Sequence, residues 1–355
     1  MGGKMSKLDK LMKQINKSYG EGVLRKLGET SFIDVSWWDL TSLRLMDILG
    51  KGVPKGRIIE IYGEESSGKT SLATYILAQL QAQGETVAFI DAEHSFSADH
   101  SENLGLDVDS LYYVDPESGE QALDLAEQLV ITGEVSAIVI DSVAALVPQA
   151  ELDGDMGKAH MGVQARLLGQ GLRKIIGHAK KNNTTLIFIN QVRMKMGVMY
   201  GSPETTPGGK ALPFFSSIRL RTRKIEFIKL KDSEPPLGVK FEVKCIKNKV
   251  APPWKKGEFT LMFDTGLDFG SELIEYAAKF DIVDKGGSWF TYNGEKFHGE
   301  EKLREYLTTH KEEQFKIEEL IKQILAKRNA KSIEDDKEDP LPETVDLAEH
   351  GIDID

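Results

Sequence analysis

RIIEIYGEESSGKT, residues 57–70, is the stretch on which the fold turns. Its first seven residues form an apolar run with the look of a buried strand, and the residues after it (SLATYILAQL) keep the apolar spacing of a helix. Between them, Gly63-Glu64-Glu65-Ser66-Ser67-Gly68-Lys69-Thr70 matches G-x-x-x-x-G-K-[ST]. The order strand, glycine loop, helix is what phosphate binding needs. Glycines let backbone amides curl around phosphate oxygens, and the helix amino terminus adds positive potential. Lys69 is placed to reach terminal phosphates and the Thr70 hydroxyl to hold Mg²⁺. With Ser71 in the first turn, residues 63–71 are the candidate nucleotide contacts.

Outward from this loop the chain alternates strand and helix. Apolar strands are expected at 57–63, 86–93, 110–116, 137–143 and 185–192, with helices at 70–82, 119–132 and 164–181. Near-continuous apolar strands separated by helices predict a mostly parallel sheet covered on both faces, an α/β fold. After Pro213 the helices stop, and SIRLRTRKIEFIK, VKFEVKCIKNK and GEFTLMF read as antiparallel strands extending one side of that sheet. From 270 to about 328 a smaller mixed segment follows, with a WFTYNGEKF hairpin turning at Asn293-Gly294. Ahead of the core, Leu8, Leu11, Met12, Ile15 and Tyr19 share one helical face. Such a detached amphipathic helix covers itself on another copy of the chain or on its own domain.

Two further strand ends carry carboxylates. AIVID (137–141) ends in Asp141, which beside a phosphate loop suits the orienting of a magnesium shell, whereas alone it would read as a helix cap. AFIDAEH places Glu93 at the carboxyl edge of the sheet, where it can take a proton from water attacking a γ-phosphate; without the other two motifs it is as readily a surface glutamate. A third strand end, Asn190-Gln191, opens a glycine-rich stretch from Arg193, Met194 and Lys195 to Gly208 and Gly209. Lacking any helical or alternating period, it reads as a long functional loop beside the nucleotide site. Residues 153–162 form a second such loop, and two loops leaving one sheet edge could grip a polymer.

The set GEESSGKT, AFIDAEH, AIVIDSVAAL, FINQVRMKMGVMYGSPETTPGG and CIKNKVAPP, in that order, closely resembles the bacterial RecA recombinase family, from about residue 12 to 328. The 190–209 segment is far more specific than the phosphate loop. The resemblance implies a RecA-type ATPase core (33–269) after an amino-terminal helix and linker (1–32), then a small mixed α/β domain (270–330) and a disordered acidic tail (331–355). It implies a filament-forming, DNA-dependent ATPase with ATP and Mg²⁺ as cofactors. Single-stranded DNA, homologous duplex and further copies of itself are the implied partners, with single-strand-binding and loader proteins beside them. Lys69, Thr70, Asp141 and Glu93 match phosphate, magnesium and catalytic-base positions, and Gln191 the residue linking the γ-phosphate to DNA. Met161, Arg166, Arg173, Gly208 and Gly209, with Arg193, Met194 and Lys195, fall in or beside the DNA-binding loops. Lys247 and Lys249 match cations that reach a neighbouring subunit's ATP, and Phe214 a subunit contact. A related hexameric helicase and an ATP-gated scaffold that activates partners are the alternative readings.

The chain departs from the family at Glu64, where proline is usual, and at Ser97 and His100, where an aspartate and a tyrosine commonly surround adenine; His100 could still stack on the base. Trp37 and Trp38 replace a more polar segment and read as core or interface. Cys245 alternates with Val243 and Phe241, as a small buried residue does.

The 355-residue composition, 40% hydrophobic and 28% charged, excludes collagen-like and wholly disordered chains. One cysteine excludes an internal disulfide framework and a cysteine-rich zinc site. No apolar run approaches the ~18 residues of a spanning helix, and the first residues lack a secretory stretch, so the cytoplasm is the expected location. Of the net charge of −11, residues 334–355 carry −9, ten acids against Lys337. The near-neutral remainder leaves room for local basic surfaces.

Overall fold

The computed structural model describes residues 6–21, 23–26, 35–155, 162–194, 204–229 and 235–338, the last nine of these by backbone alone. Two compact units divide at Ser36. The first holds the helix Lys7–Tyr19, started by a capping box in which Ser6 Oγ accepts from Asp9 N and the Asp9 carboxylate from Ser6 N. Gly20 ends it, and Asn16 exchanges two 2.8 Å bonds with the backbone of Leu24.

In the second unit the main sheet has nine strands among the described residues: β1 Ile58–Gly63, β2 Val87–Asp91, β3 Tyr112–Val114, β4 Ala137–Asp141, β5 Thr185–Gln191, β6 Ile218–Ile228, β7 Gly238–Asn248, β8 Lys256–Met262 and β9 Gly266–Leu267. Their order is β9-β8-β7-β6-β1-β5-β4-β2-β3. β6 through β3 run parallel, and β7, β8 and β9 add antiparallel strands on the β6 side, as the change of texture after Pro213 predicts.

Alternate side chains enter opposite layers. Ile59, Ile61, Val139, Ile187 and Ile189 face a core shared with helix Lys69–Gln81. Ile58, Ile138, Ile140, Leu186 and Phe188 face a second core under helices Gly119–Thr132 and Val163–Asn182. All ten are essentially fully buried, and each such side chain contributes about 1.5–3 kcal/mol. Ser118 caps the first of the latter two helices and Gly133 closes it in the left-handed region. Trp38 lies in the core with its indole N–H on Glu85, so it is a packing residue; Trp37 is half-buried. Cys245 is fully buried, as its alternation predicts.

Helices Phe269–Lys279, Glu300–Thr309 and Lys311–Glu338 enclose a third core with the strands Asp284–Gly286, Trp289–Tyr292 and Glu295–His298. The hairpin turns at Asn293 (φ +50°) and Gly294 (φ +83°), the left-handed pair that Asn-Gly favours. Helix Lys311–Glu338 runs eight residues into the stretch expected to be disordered from 331, because good helix formers follow Arg328 before the prolines; residues 339–355 lie outside the described residues.

Leu43 joins this third core, and Glu272 ties it to the start of helix Leu43–Leu49. The Glu272 carboxylate accepts from Ser42 Oγ at 3.0 and 3.1 Å and from the Arg44 backbone N–H. Burial pushes this carboxyl up to about 7, against the lowering from Arg44. A folded pKa above the unfolded value means that the folded chain holds the proton more tightly. The group therefore favours folding most below the ordinary carboxyl range, and this contribution is lost as pH rises through about 7. Glu272→Gln keeps the acceptor and removes the titration. Its Tm should fall less than the parent's between about pH 5.5 and about pH 8; an equal fall in thermal melts of both proteins contradicts this.

Candidate functional site

The site grows from the ends of β1, β2, β4 and β5. After Gly63 the loop turns through Ser66 (φ +56°) and Gly68 (φ +83°) into helix Lys69–Gln81. Gly63 has no room for a side chain: an added Cβ would lie 2.3 Å from Thr222 Oγ1 and 2.7 Å from Ser67 Oγ. Ser67 is buried, with its hydroxyl 2.6 Å from Glu64 O and 2.7 Å from Thr222 Oγ1, so it shapes the loop from inside. Glu64 and Glu65 stay exposed.

Lys69 Nζ donates to Glu64 O at 2.7 Å. Burial lowers its pKa, opposed by Asp141, Glu93 and Glu65. Thr70 Oγ1 donates to Asp141 Oδ2 at 2.7 Å, joining the phosphate loop to the end of β4. The other oxygen, Asp141 Oδ1, is buried with no hydrogen-bond partner. Burial, with Glu93 and Asp91 nearby, pushes Asp141 up to about 7 despite the Thr70 bond. A cation would favour the ionised form and use the orphaned oxygen. An oxygen pair of threonine and aspartate suits Mg²⁺, so the residues fit that ion.

Glu93 is exposed; its backbone N–H is held by Asp141 O at 3.1 Å, and its side chain receives Gln191 Nε2 at a long 3.4 Å. Lys69, Thr70, Asp141, Glu93 and Gln191 thus meet at one edge. Asp91, not singled out from the sequence, holds the turn that presents Glu93: its carboxylate accepts from Ser95 N (3.3 Å), Phe96 N (2.9 Å) and Tyr113 Oη (3.0 Å). The doubled acid in DAE was the available signal. His100 lies on the short helix Ala98–Asn103 with Nε2 2.9 Å from Ser71 Oγ, beside the first turn of the phosphate-loop helix.

The polymer-facing candidates gather along helix Val163–Asn182. Arg166 and Arg173 are exposed and two turns apart. Gly208 (φ +82°) and Gly209 (φ +73°) lie against the same helix: added Cβ atoms would lie 2.6 Å from Leu168 Cδ2 and 2.9 Å from Ala165 Cβ. Arg193 and Met194 pair with Thr205 and Glu204 in a short ladder and are exposed. Met161 and Lys195 lie outside the described residues. Gln164, also missed from sequence, donates to Val143 O at 2.9 Å and Leu146 O at 3.2 Å, tying this helix to the turn after Asp141.

Lys247, Lys249 and Phe214 are brought together elsewhere. Lys247 Nζ donates to Pro213 O (2.6 Å) and Phe214 O (3.1 Å), Lys249 Nζ to Phe214 O (3.2 Å), and the Phe214 ring is 71% exposed. Burial and the Lys249 charge lower Lys247 to about 8. In register, Lys247 pairs with Arg219 and Arg219 with Glu60, whereas the phosphate loop leaves at Gly63, beside Thr222 and Val243. The lysines therefore lie on the order of 10 Å or more down the sheet from their own phosphate loop.

Gly68→Ala should disable the site locally. Its positive φ is combined with a Cβ position 3.0 Å from the Phe241 ring. The variant should lose about 1–3 kcal/mol of stability and bind nucleotide roughly tenfold or more weaker, about 1.4 kcal/mol. Thermal melts and titration with a fluorescent nucleotide check both; parental affinity contradicts the prediction.

Comparison with known proteins gives the family. The RecA N-terminal domain family matches residues 6–268 and the RecA C-terminal domain family residues 271–326. A protein named RecA from Listeria ivanovii is 46% identical over 346 residues, 97% of each chain. Another, from a Nitratiruptor species, is 49% identical over 325 residues, 91% of this chain and 94% of that protein. Among the described residues no helix is long and apolar enough to cross a membrane. The chain belongs to the RecA family, DNA-dependent ATPases that act in DNA recombination and repair.

Proposed function

We propose that this chain forms helical filaments on single-stranded DNA in the cytoplasm, and that it pairs the bound strand with homologous duplex and exchanges strands. One observation carries the filament reading. The phosphate loop and the Phe214–Lys247–Lys249 cluster lie at different levels of one sheet, so a nucleotide needing both requires a second copy. Stacked head to tail, each copy offers its lysines to the next copy's nucleotide, and such a heterologous contact builds an open helical filament when its rotation does not close a ring. The helix Lys7–Tyr19 then docks on a neighbour, and residues 33–269, 270–330 and 331–355 act as ATPase core, accessory domain and acidic tail.

In this reading Lys69 and the loop amides hold the ATP phosphates, and His100 flanks the base. Thr70 and Asp141 Oδ1 would hold Mg²⁺, which neutralises phosphate charge when bound. Glu93 orients the attacking water and accepts its proton. Gln191, between Glu93 and the ladder beginning at Arg193, senses the γ-phosphate and transmits nucleotide state to DNA. Arg166, Arg173, Arg193, Met194, Lys195, Met161 and the Gly208-Gly209 backbone approach the strand. Contacts to phosphate rather than base edges leave the search to base pairing. The hexameric-helicase alternative predicts closed rings, and the scaffold alternative partner activation without turnover.

Glu93→Gln should retain ATP-dependent binding of single-stranded DNA and lose hydrolysis, because it keeps the shape of the side chain without the base. A Lys247→Ala, Lys249→Ala protein should also lose DNA-stimulated hydrolysis. Mixing the two should restore part of it, since some interfaces then pair an intact base with intact lysines. Electron microscopy with single-stranded DNA and a non-hydrolysable ATP analogue should show helical filaments. Closed rings refute the filament, and mixed assemblies without recovered hydrolysis refute the shared site.

A further inference from the structure

Lys247 lies at the end of β7 and Lys249 in the turn that leads to β8. Cys245 N donates to Lys255 O and Trp254 N to Cys245 O, each at 2.8 Å, which closes the base of this turn. Within it Asn248 Oδ1 accepts from Val250 N and Ala251 N, both at 2.9 Å. The turn rests on the carboxyl end of helix Leu43–Leu49. Asn248 Nδ2 donates to Leu49 O at 2.9 Å. Gly50 (φ +113°) meets the turn so closely that an added Cβ would lie 2.3 Å from Ala251 Cβ. Lys249 N also donates to Ser217 O at 2.9 Å.

Gly50 and Lys255 are in turn held from the last helix. Asn329 Nδ2 donates to Gly50 O, and Asn329 Oδ1 accepts from Lys255 Nζ at 2.7 Å. Lys255 Nζ donates to Asp47 Oδ1 as well, at 2.8 Å, and Asp47 Oδ2 accepts from Tyr276 Oη at 3.2 Å. Asn329 is 2% exposed, although residues 326–328 just ahead of it are exposed. Burying an amide is costly unless its polar atoms find partners, and here both the nitrogen and the oxygen do. The residue stands beyond 326, where the match to the RecA C-terminal domain family ends.

We infer that Asn329 is a positioning residue for Lys247 and Lys249: by tying Gly50 to Lys255 it fixes the seat of the turn on which the two lysines are mounted. The inference rests on the reading that these lysines meet a neighbouring copy's nucleotide. Asn329 therefore serves what a copy gives to its neighbour, and not what its own phosphate loop binds. Without the amide, Gly50 O loses this donor and Lys255 keeps its bond to Asp47. The end of helix Leu43–Leu49 and the base of the turn then lose their common tie, and the lysines their fixed height on the sheet. Transfer chemistry is sensitive to such placement, because a group held in position needs no ordering when the reaction occurs.

The test measures ATP hydrolysis by the full chain with single-stranded DNA. Asn329→Ala, shown by circular dichroism to be folded, should keep its nucleotide affinity in the absence of DNA. Its DNA-stimulated rate should fall by roughly ten- to 100-fold, since an error of about 1 Å in a positioned group can cost the larger figure. Mixing then tells which side of the contact has failed. With Glu93→Gln protein, which supplies intact lysines, hydrolysis should rise above the sum of the two alone. With the Lys247→Ala, Lys249→Ala protein it should not, because neither chain then offers a seated pair. Asn329→Asp keeps the bond to Lys255 and loses the donor to Gly50 O; it should show the same pattern with a smaller fall, and it serves if the alanine variant does not fold. A parental rate in the folded variant, recovery with the lysine variant, or recovery with neither partner overturns the inference alone. If the Glu93→Gln and lysine variants fail to complement each other, the shared site falls and the inference with it.

Discussion

The parallel register of the central strands is the constraint on which the rest depends. Gly63 pairs with Gln191, Asp91 with Asp141, and Ile140 with Phe188, so four chain reversals leave one edge at nearly the same height. Side chains alternate along a strand, and a slip of one residue would exchange the two faces. It would move Ile138 and Ile140 out of one core, and carry Asp141 away from Thr70. Burial of aliphatic side chains and placement of the candidate site groups are thus enforced together. The loop residues need little stability of their own because the strands below them are fixed by both cores.

Charge is handled differently along the same strands. At the phosphate-loop edge, burial disfavours the ionised forms of both Lys69 and Asp141, and Asp141 keeps one oxygen without a partner. Such groups gain most from a charged ligand, since electrostatic attraction strengthens as water is excluded. Toward the other edge Glu60 is fully buried yet satisfied by Arg219 and Asn190. One set of buried charges is left short of partners and the other is closed. The first suits a binding site and the second a brace.

The brace leads outward on both sides. Asn190 connects it to Pro207, next to the glycines that lie against helix Val163–Asn182, and Arg219 sits in register with Lys247, whose ammonium rests on the carbonyls before and at Phe214. The segment proposed to face DNA and the surface proposed to meet a second copy therefore share one buried foundation.

Sequence alone determined the elements whose cause is local. The apolar strands, the glycine loop before Lys69 and the Asn293-Gly294 turn follow from periodicity and backbone preference, which act over a few residues. Asp141 was legible because it ends a buried strand at the sheet edge, and Glu93 because it follows such a strand end by two residues. Tertiary structure decided what depends on partners distant in the chain. That Asp91 braces a turn with Tyr113, that Gln164 ties a helix to the turn after β4, and that Glu272 caps the helix beginning at Leu43 could not be read from spacing. The strand order placing β6 beside β1 likewise belongs to the fold, and with it the pairing of Arg221 with Glu204. An arginine in an alternating strand announces only that one face is polar. Which acid it meets is settled when non-local strands close into register, because burying one charge requires another to arrive.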